Sequence, residues 1–352
     1  MTKSNKSISE NKLNIKDESD VNLSPEMKSA SNDIEPNKNT AYINFNGLNI
    51  SIELMESQKY KNVEVIPIKT DSFAKKDFLT LKKGHEMGLV EIKELESSSV
   101  NTVICKNDAV VPLLLIDGDE ITGAMQNRII NDSLLIPAQT QMKIPVSCTE
   151  QGRWEYKNKA HSFEPSLYSL DYSTRSSKSR AAYESRGYQS EVWGSISNLE
   201  KRSQYRSKTS SLNDNYENLK SNQDDYLKEF SIEKGQNGVI FIVNNELKGI
   251  ELFYNHNIYK EYHEKIFRSY IIEAIVDSSS ENDDYDEDYL KREIHMILND
   301  ISECEFKENK SLGLGNNVKF SNDYGSGSSL VYEDELIHMN YFKDNDDIGI
   351  II

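Results

Sequence analysis

"TVICKNDAVVPLLLIDGDEITGAMQNRIINDSLLIPAQTQMKIPVSC", residues 102–148, decides the fold class. Its apolar runs are too short for helices, and each is closed by Asn, Asp, Gly, Pro or Ser, as strands joined by turns are. "DGD" (117–119) is a turn signature in which Gly118 can take a positive φ. Pro137 and Pro145 lack an amide hydrogen and are expected only at sheet edges or bulges.

Upstream, "AYINFNGLNISIEL" (41–54) and "YKNVEVIPIKT" (60–70) alternate with period two and predict one strand each. "FLTLKKGHEMGLVEIKEL" predicts a short helix ending near Gly88 and then a strand. Downstream, Val192, Ile196 and Leu199, then Leu212, Tyr216, Leu219, Tyr226 and Phe230, recur at helical spacing. Two helices joined around Ser207–Ser211 are expected to cover the sheet. "GVIFIVNNELKGIELF" (238–253) predicts a hairpin across Asn244-Asn245. Helices follow over 258–276, entered by capping asparagines, and over 289–301. "SSLVYEDELIHMNYF" (328–342) predicts a closing hairpin.

These elements define an α+β protein with a mainly antiparallel β core and covering helices. Residues 1–40, rich in Ser, Asn, Lys, Glu and Asp, are expected to be a disordered tail. Residues 41–345 are expected to form a single composite domain: β-rich over 41–160, helical over 165–232, a hairpin and helices over 236–305, and the last hairpin over 312–342.

The net charge of −17 argues against nucleic acid as a partner. No apolar run approaches the ~20 residues needed to span a bilayer, and the tail has no signal-peptide pattern, so no membrane partner and a cytoplasmic location are expected. Cys105, Cys148 and Cys304 fit neither a disulfide framework nor a zinc spacing and are expected to be reduced. The six histidines show no HExxH arrangement. The acidic run Glu281–Asp288 reads as a solvated loop, without the glycine and terminal glutamate of an EF-hand. Gly313, Gly315, Gly325 and Gly327 precede strand-like segments rather than a helix, so they are expected in turns and not in a dinucleotide fingerprint.

The chemistry-bearing residues are Asp117, Asp119, Glu120, Gln126, Asn127, Arg128, Cys148, Glu150, Gln151, Arg153 and Trp154. If 123–130 is extended, Gln126 and Arg128 share a face and Asn127 points to the other. An arginine fork suits phosphate or carboxylate, an amide can orient it, and an indole can stack on a ring. In the competing reading Arg128 and Arg153 pair with Glu120 and Glu150 as structural ion pairs and Trp154 is core. Glu120 and Glu150 are the candidate acid–base residues, whereas Cys148 lacks a neighbouring base and reads as a core thiol.

"DGDEITGAMQNRIINDSLLIPA", "IPVSCTEQGRW", "GYQSEVWGSI", "GVIFIVNNELKGIELF" and "FRSYIIEAI" together resemble the family of ADP-ribosylglycohydrolase- and rhodanese-phosphatase-associated proteins, over about residues 77–342. The resemblance implies a place in NAD or ADP-ribose metabolism. It puts the family motif on Glu120, Gly123, Gln126, Asn127, Arg128, Cys148, Glu150, Gln151, Gly152, Arg153 and Trp154. Met125 stands where the resemblance leads one to expect lysine, which implies a weaker hold on an anion.

The leading expectation is a small-molecule binding module for a nucleotide or ADP-ribose-like ligand. Gln126, Asn127, Arg128, Gln151, Arg153 and Trp154 would form its site. The alternatives are a hydrolase of a phosphorylated or ADP-ribosyl substrate using Glu120 or Glu150, and a scaffold whose 160–230 helices meet an ADP-ribose-processing partner enzyme. No cofactor or metal is indicated.

Overall fold

The chain reverses at Asn46–Gly47, whose φ angles are 46° and 84°. The run expected as one strand over 41–54 is therefore a hairpin of β1 (Thr40–Phe45) and β2 (Leu48–Leu54). Asn-Gly favours such a tight turn, a signal hidden by the alternation on both sides. The next run also turns back, between β3 (Gln58–Tyr60) and β4 (Val63–Thr70).

The computed structural model describes residues 40–70, 76–95, 100–153, 155, 161–184, 189–277 and 287–344. The expected disordered tail lies outside the described residues except for Thr40, which opens β1. Trp154 and residues 281–286 of the acidic run also lie outside them.

The stretch 102–148 folds as its turns predict. After β5 (Leu79–Thr80), α1 (Leu81–Glu86) and β6 (Val90–Glu94) come β7 (Thr102–Asn107), β8 (Leu113–Leu115), β9 (Asp119–Gly123), β10 (Arg128–Ile130), β11 (Leu134–Ile136) and β12 (Thr140–Cys148), then β13 (Ser162–Ser169). Six of these close into a barrel in the order β10-β12-β7-β6-β13-β9, while β11, β8 and β5 form a small sheet. Gly118 takes a φ of 83°, as the turn requires. Ile92, Val103, Cys105, Ile121, Ile130, Ile144, Val146 and Phe163 are buried together in one cluster. Cross-strand partners share a face, and the registers put this set inside the barrel.

Pro145 lies in this closed barrel and not at an edge, contrary to expectation. It pairs with Thr102 of β7, but the β10 ladder ends at Val146, so its missing amide hydrogen breaks no β10–β12 bond.

Residues 160–230 depart most from the sequence reading. One strand and four helices replace two helices: β13, α2 (Tyr172–Tyr183), α3 (Gln189–Arg202), α4 (Leu212–Asn218) and α5 (Lys220–Leu227). α3 has the expected apolar stripe, with Val192, Ile196 and Leu199 buried, and Leu212, Tyr216, Leu219, Tyr226 and Phe230 are buried too. The second periodic run breaks at Leu219, and α2 buries Arg175, Lys178 and Thr174, so it carries no apolar periodicity.

The C-terminal half follows expectation. β14 (Gly238–Val243) and β15 (Glu246–Phe253) join through Asn244 and Asn245 at φ 55° and 62°. Asn255 caps α6 (His256–Val276), its Oδ1 accepting from Ile258 N at 3.0 Å. After α7 (Glu287–Ser302) come β16 (Glu305–Lys310), β17 (Asn316–Ser321), β18 (Gly325–Tyr332) and β19 (Glu335–Lys343). With the first four strands they build an antiparallel sheet in the order β1-β2-β4-β14-β15-β19-β18-β17-β16, with β3 also on β4. α6 and α7 contribute to two separate clusters against it, through Phe267 and Tyr270 and through Ile297 and Ile301. Gly325 and Gly327 lie within β18 and not in turns. A Cβ at either would meet the Tyr341 or Phe320 ring at 2.5 Å, so bare backbone is needed there. The protein is thus α+β with a mainly antiparallel core.

The barrel meets the large sheet through charge. Arg175, fully buried on α2, grips Glu251 of β15 through both terminal nitrogens, at 2.5 and 3.3 Å, and lies 3.9 Å from Asp117 in the turn before β9. Asn340 of β19 donates to Asp117 at 2.8 Å, and Ser133 links Asp117 to His338. Burial favours the neutral Asp117, but Lys178 and Arg175 hold its pKa below the usual carboxylate value. Breaking a buried ion pair from one side leaves an uncompensated charge. Arg175→Met is therefore expected to lower the unfolding free energy by about 3–5 kcal/mol, measured by urea denaturation. A change below ~1 kcal/mol, the range of an exposed pair, would contradict the assignment.

Candidate functional site

Arg128 opens β10, opposite Cys148 of β12 and Ile121 of β9. It shares the lumen face of Ile130, two residues on. Glu94 ends β6 opposite Val103, two residues beyond Ile92. Arg128, Cys148 and Glu94 thus ring one mouth of the barrel above its apolar filling. The wall bends beside them. Gly123 has a φ of 128°, and a Cβ there would fall 2.6 Å from Ser162 O, so only glycine fits. Ala124 follows at φ 41°, so 123–130 is not continuously extended as the face-sharing argument assumed. Gln126 and Arg128 still meet, because Arg128 Nη1 donates to Gln126 Oε1 at 3.2 Å.

Arg153 braces this bend. Its guanidinium donates to Glu150 Oε2 (2.9 Å), Ala124 O (2.7 Å), Glu155 O (2.7 Å), Gly123 O (3.1 Å) and Asn127 Oδ1 (3.2 Å). Glu150 also accepts from Asn127 N at 3.3 Å and from Thr209 Oγ1 at 3.0 Å. Gly152 N donates to Thr209 O at 2.8 Å, which ties the segment to the loop before α4. Gln189 of α3 clamps Cys148, accepting from its amide at 2.9 Å and donating to its carbonyl at 3.0 Å.

Arg128 is different. It is 2 % exposed, and among the described residues its Nε has no hydrogen-bond partner and its nearest carboxylate, Glu94, stands 3.9 Å away. Asn127 Nδ2 and Glu94 Oε2 are likewise buried without a partner. Such groups cost free energy unless satisfied. Along the same segments, Gln151 and Gly152 are exposed and Met125 and Arg153 half-buried. Met125 turns its amide to Glu94 Oε1 at 3.1 Å.

Glu120 faces the other way. Its neighbour across β9–β10 is Ile129, which packs with Val192, Leu212 and Tyr216 under α3 and α4. Thr149 Oγ1 (2.9 Å), Ser166 Oγ (2.9 Å) and Asn213 Nδ2 (3.0 Å) donate to its carboxyl, yet burial raises its pKa to about 7. The structure therefore groups Asn127, Arg128, Glu150 and Arg153 at the bend and puts Glu120 on the opposite face of the wall from Arg128. The ion-pair reading holds for Arg153 with Glu150, whereas Glu120 pairs with no arginine among the described residues. Asp119 meets Lys265 at 3.0 Å, and Asp117 belongs to the Arg175 seam. Burial pushes the Cys148 thiol pKa up. Among the described residues, no three His, Cys, Asp or Glu are grouped to hold a metal, and no helix is long and apolar enough to cross a membrane.

Sequence reasoning missed Glu94, Thr149, Ser166, Thr209 and Asn213. Glu94 ends a strand in the alternating "VEIKE" (90–94), where its parity with Val90 and Ile92 was a signal for the inner face. The other four carry no local signal.

Fold and site define a class: an α+β protein whose small closed barrel carries a polar, arginine-bearing mouth. The model of the ARG and Rhodanese-Phosphatase-superfamily-associated Protein domain matches residues 51–342, and the chain belongs to that family, which is associated with ADP-ribosylglycohydrolase and rhodanese-phosphatase enzymes. Neither the curated proteins nor the solved structures returned a match.

Glu120 makes the fold sensitive to pH. Its pKa is raised from 4.5 to about 7, so between these values the folded chain holds a proton that the unfolded chain has released. Stability from this group is therefore full below about 4.5 and falls as pH rises through about 7. Glu120→Gln removes that loss, since Thr149 Oγ can turn to accept from the new amide. The variant is expected to gain about 3 kcal/mol on wild type across this window, read from unfolding at a series of pH values. Parallel profiles would contradict a buried, late-titrating Glu120.

Proposed function

We propose that the barrel mouth binds the anionic group of a small molecule, a nucleotide or ADP-ribose-like compound, and that the protein serves NAD or ADP-ribose metabolism as a binding module. The observation that carries this reading is the buried Arg128, which among the described residues has a free Nε and no carboxylate closer than 3.9 Å. A guanidinium in that state gains most from a phosphate or carboxylate oxygen. Asn127 Nδ2 is a second unsatisfied donor on the same bend. Arg153 acts by position, holding Glu150, Gly123 and Asn127 so that the bend keeps its shape.

The alternative, hydrolysis with Glu120 or Glu150 as base, has less support. Glu120 faces the helices, and Glu150 is engaged by Arg153 and Thr209. A scaffold role for the helices over 172–227 has the family's association with ADP-ribosylglycohydrolase enzymes behind it, and co-purification with such a partner would test it.

A thermal-shift panel on the full chain with ADP-ribose, NAD, AMP and phosphate tests the binding reading. A ligand held at about 100 times its dissociation constant adds about 2.7 kcal/mol of stability. At least one compound is expected to raise the wild-type melting temperature and to lose that effect in Arg128→Met. Wild type unmoved by all four, or the variant shifting equally, would overturn it.

A further inference from the structure

The mouth carries an unsatisfied acceptor as well as unsatisfied donors. Glu94 Oε1 takes the Met125 amide at 3.1 Å, while Oε2 is buried with no partner among the described residues, in a side chain only 7 % exposed. The carboxylate is anchored by backbone on one oxygen and vacant on the other. It sits 3.9 Å from the terminal nitrogen of Arg128, beyond a close ion pair, so the two groups do not saturate each other.

A bare anion would satisfy Arg128 and leave Glu94 worse off, because it would set two negative charges side by side. A ligand matching both groups needs an anionic oxygen for the guanidinium and, a few ångströms away, a hydroxyl hydrogen for the carboxylate. A sugar phosphate has that pairing, with a phosphoryl oxygen beside ring hydroxyls. We infer that Glu94 is a specificity-determining residue of the barrel mouth: its free Oε2 accepts a sugar hydroxyl while Arg128 holds the neighbouring phosphate, so that the site selects sugar phosphates over inorganic phosphate. The inference rests on the anion-binding reading of Arg128. Glu94 lies outside the segments that first drew attention, at the end of β6, and reaches the site only because the barrel closes.

Calorimetric titration of the full chain with inorganic phosphate, ribose 5-phosphate and ribose tests the inference. Wild type is expected to bind ribose 5-phosphate at least tenfold more tightly than phosphate, the size of one hydrogen bond to a charged group. Glu94→Gln is isosteric. Its amide oxygen keeps the Met125 bond and its NH2 replaces the free acceptor, so the preference is expected to fall to near unity, with phosphate affinity equal or higher. Arg128→Lys, which keeps the charge but loses the fork, is expected to weaken both phosphates together. Equal wild-type affinity for the two phosphates, or an undiminished preference in Glu94→Gln, would overturn the role of Glu94 and leave the anion site standing. A wild type that binds neither phosphate would overturn the anion reading and the inference with it.

Discussion

A guanidinium removed from water demands partners, and in this protein Arg175 imposes that demand where the barrel meets the large sheet. The cost of stripping a charge of solvent is repaid only by close, well-oriented opposite charge. Arg175 therefore constrains Glu251 on β15, Asp117 in the turn before β9, and α2, which carries it. Lys178, Asn340, Ser133 and His338 extend the constraint into both β structures. Apolar packing tolerates small slippage, whereas a two-pronged ion pair does not, so this seam sets the register between the halves of the fold.

The same turn leads directly to the candidate site. β9 starts at Asp119, carries Glu120 outward and Ile121 inward, and ends at Gly123, where the wall bends. Two arginines then meet contrasting fates. Arg153 spends its donors on carbonyls, an amide and Glu150, and behaves as part of the frame. Arg128 is more deeply buried yet less satisfied, with Nε unpartnered and only a distant carboxylate. Counting arginines in a motif cannot separate these roles, since the difference lies in the number of acceptors that the fold brings within reach.

The glutamates divide in a similar way. Glu120 receives three neutral donors and only a weaker pull from Lys265, so burial dominates and its pKa rises to about 7. Glu150 is held by Arg153 and a backbone amide. Glu94 keeps a vacant oxygen at the mouth. These distinct environments arise from strand parity and from which loop covers each face. The Thr209 loop and Asn213 at the start of α4 do most of the covering.

Local chemistry made much of the fold legible in advance. Turn residues, alternation and capping marked the strands of 102–148, the Asn244–Asn245 hairpin, α6 and the closing hairpin, because each depends on neighbours in the chain. The dense polar stretch 123–154 stood out as chemistry-bearing, but its bend at Gly123–Ala124 was not legible. What the chain could not announce was α2, whose buried face is charged because its partners are Asp117 and Glu251 from distant segments. Barrel closure, the separation of Glu120 from Arg128 and the arrival of Glu94 beside it were equally silent. Sequence by itself determined most strands, α3, α6, α7 and the polar segment; tertiary structure alone decided which charges are satisfied, because satisfaction depends on groups brought together from strands and loops far apart in the chain.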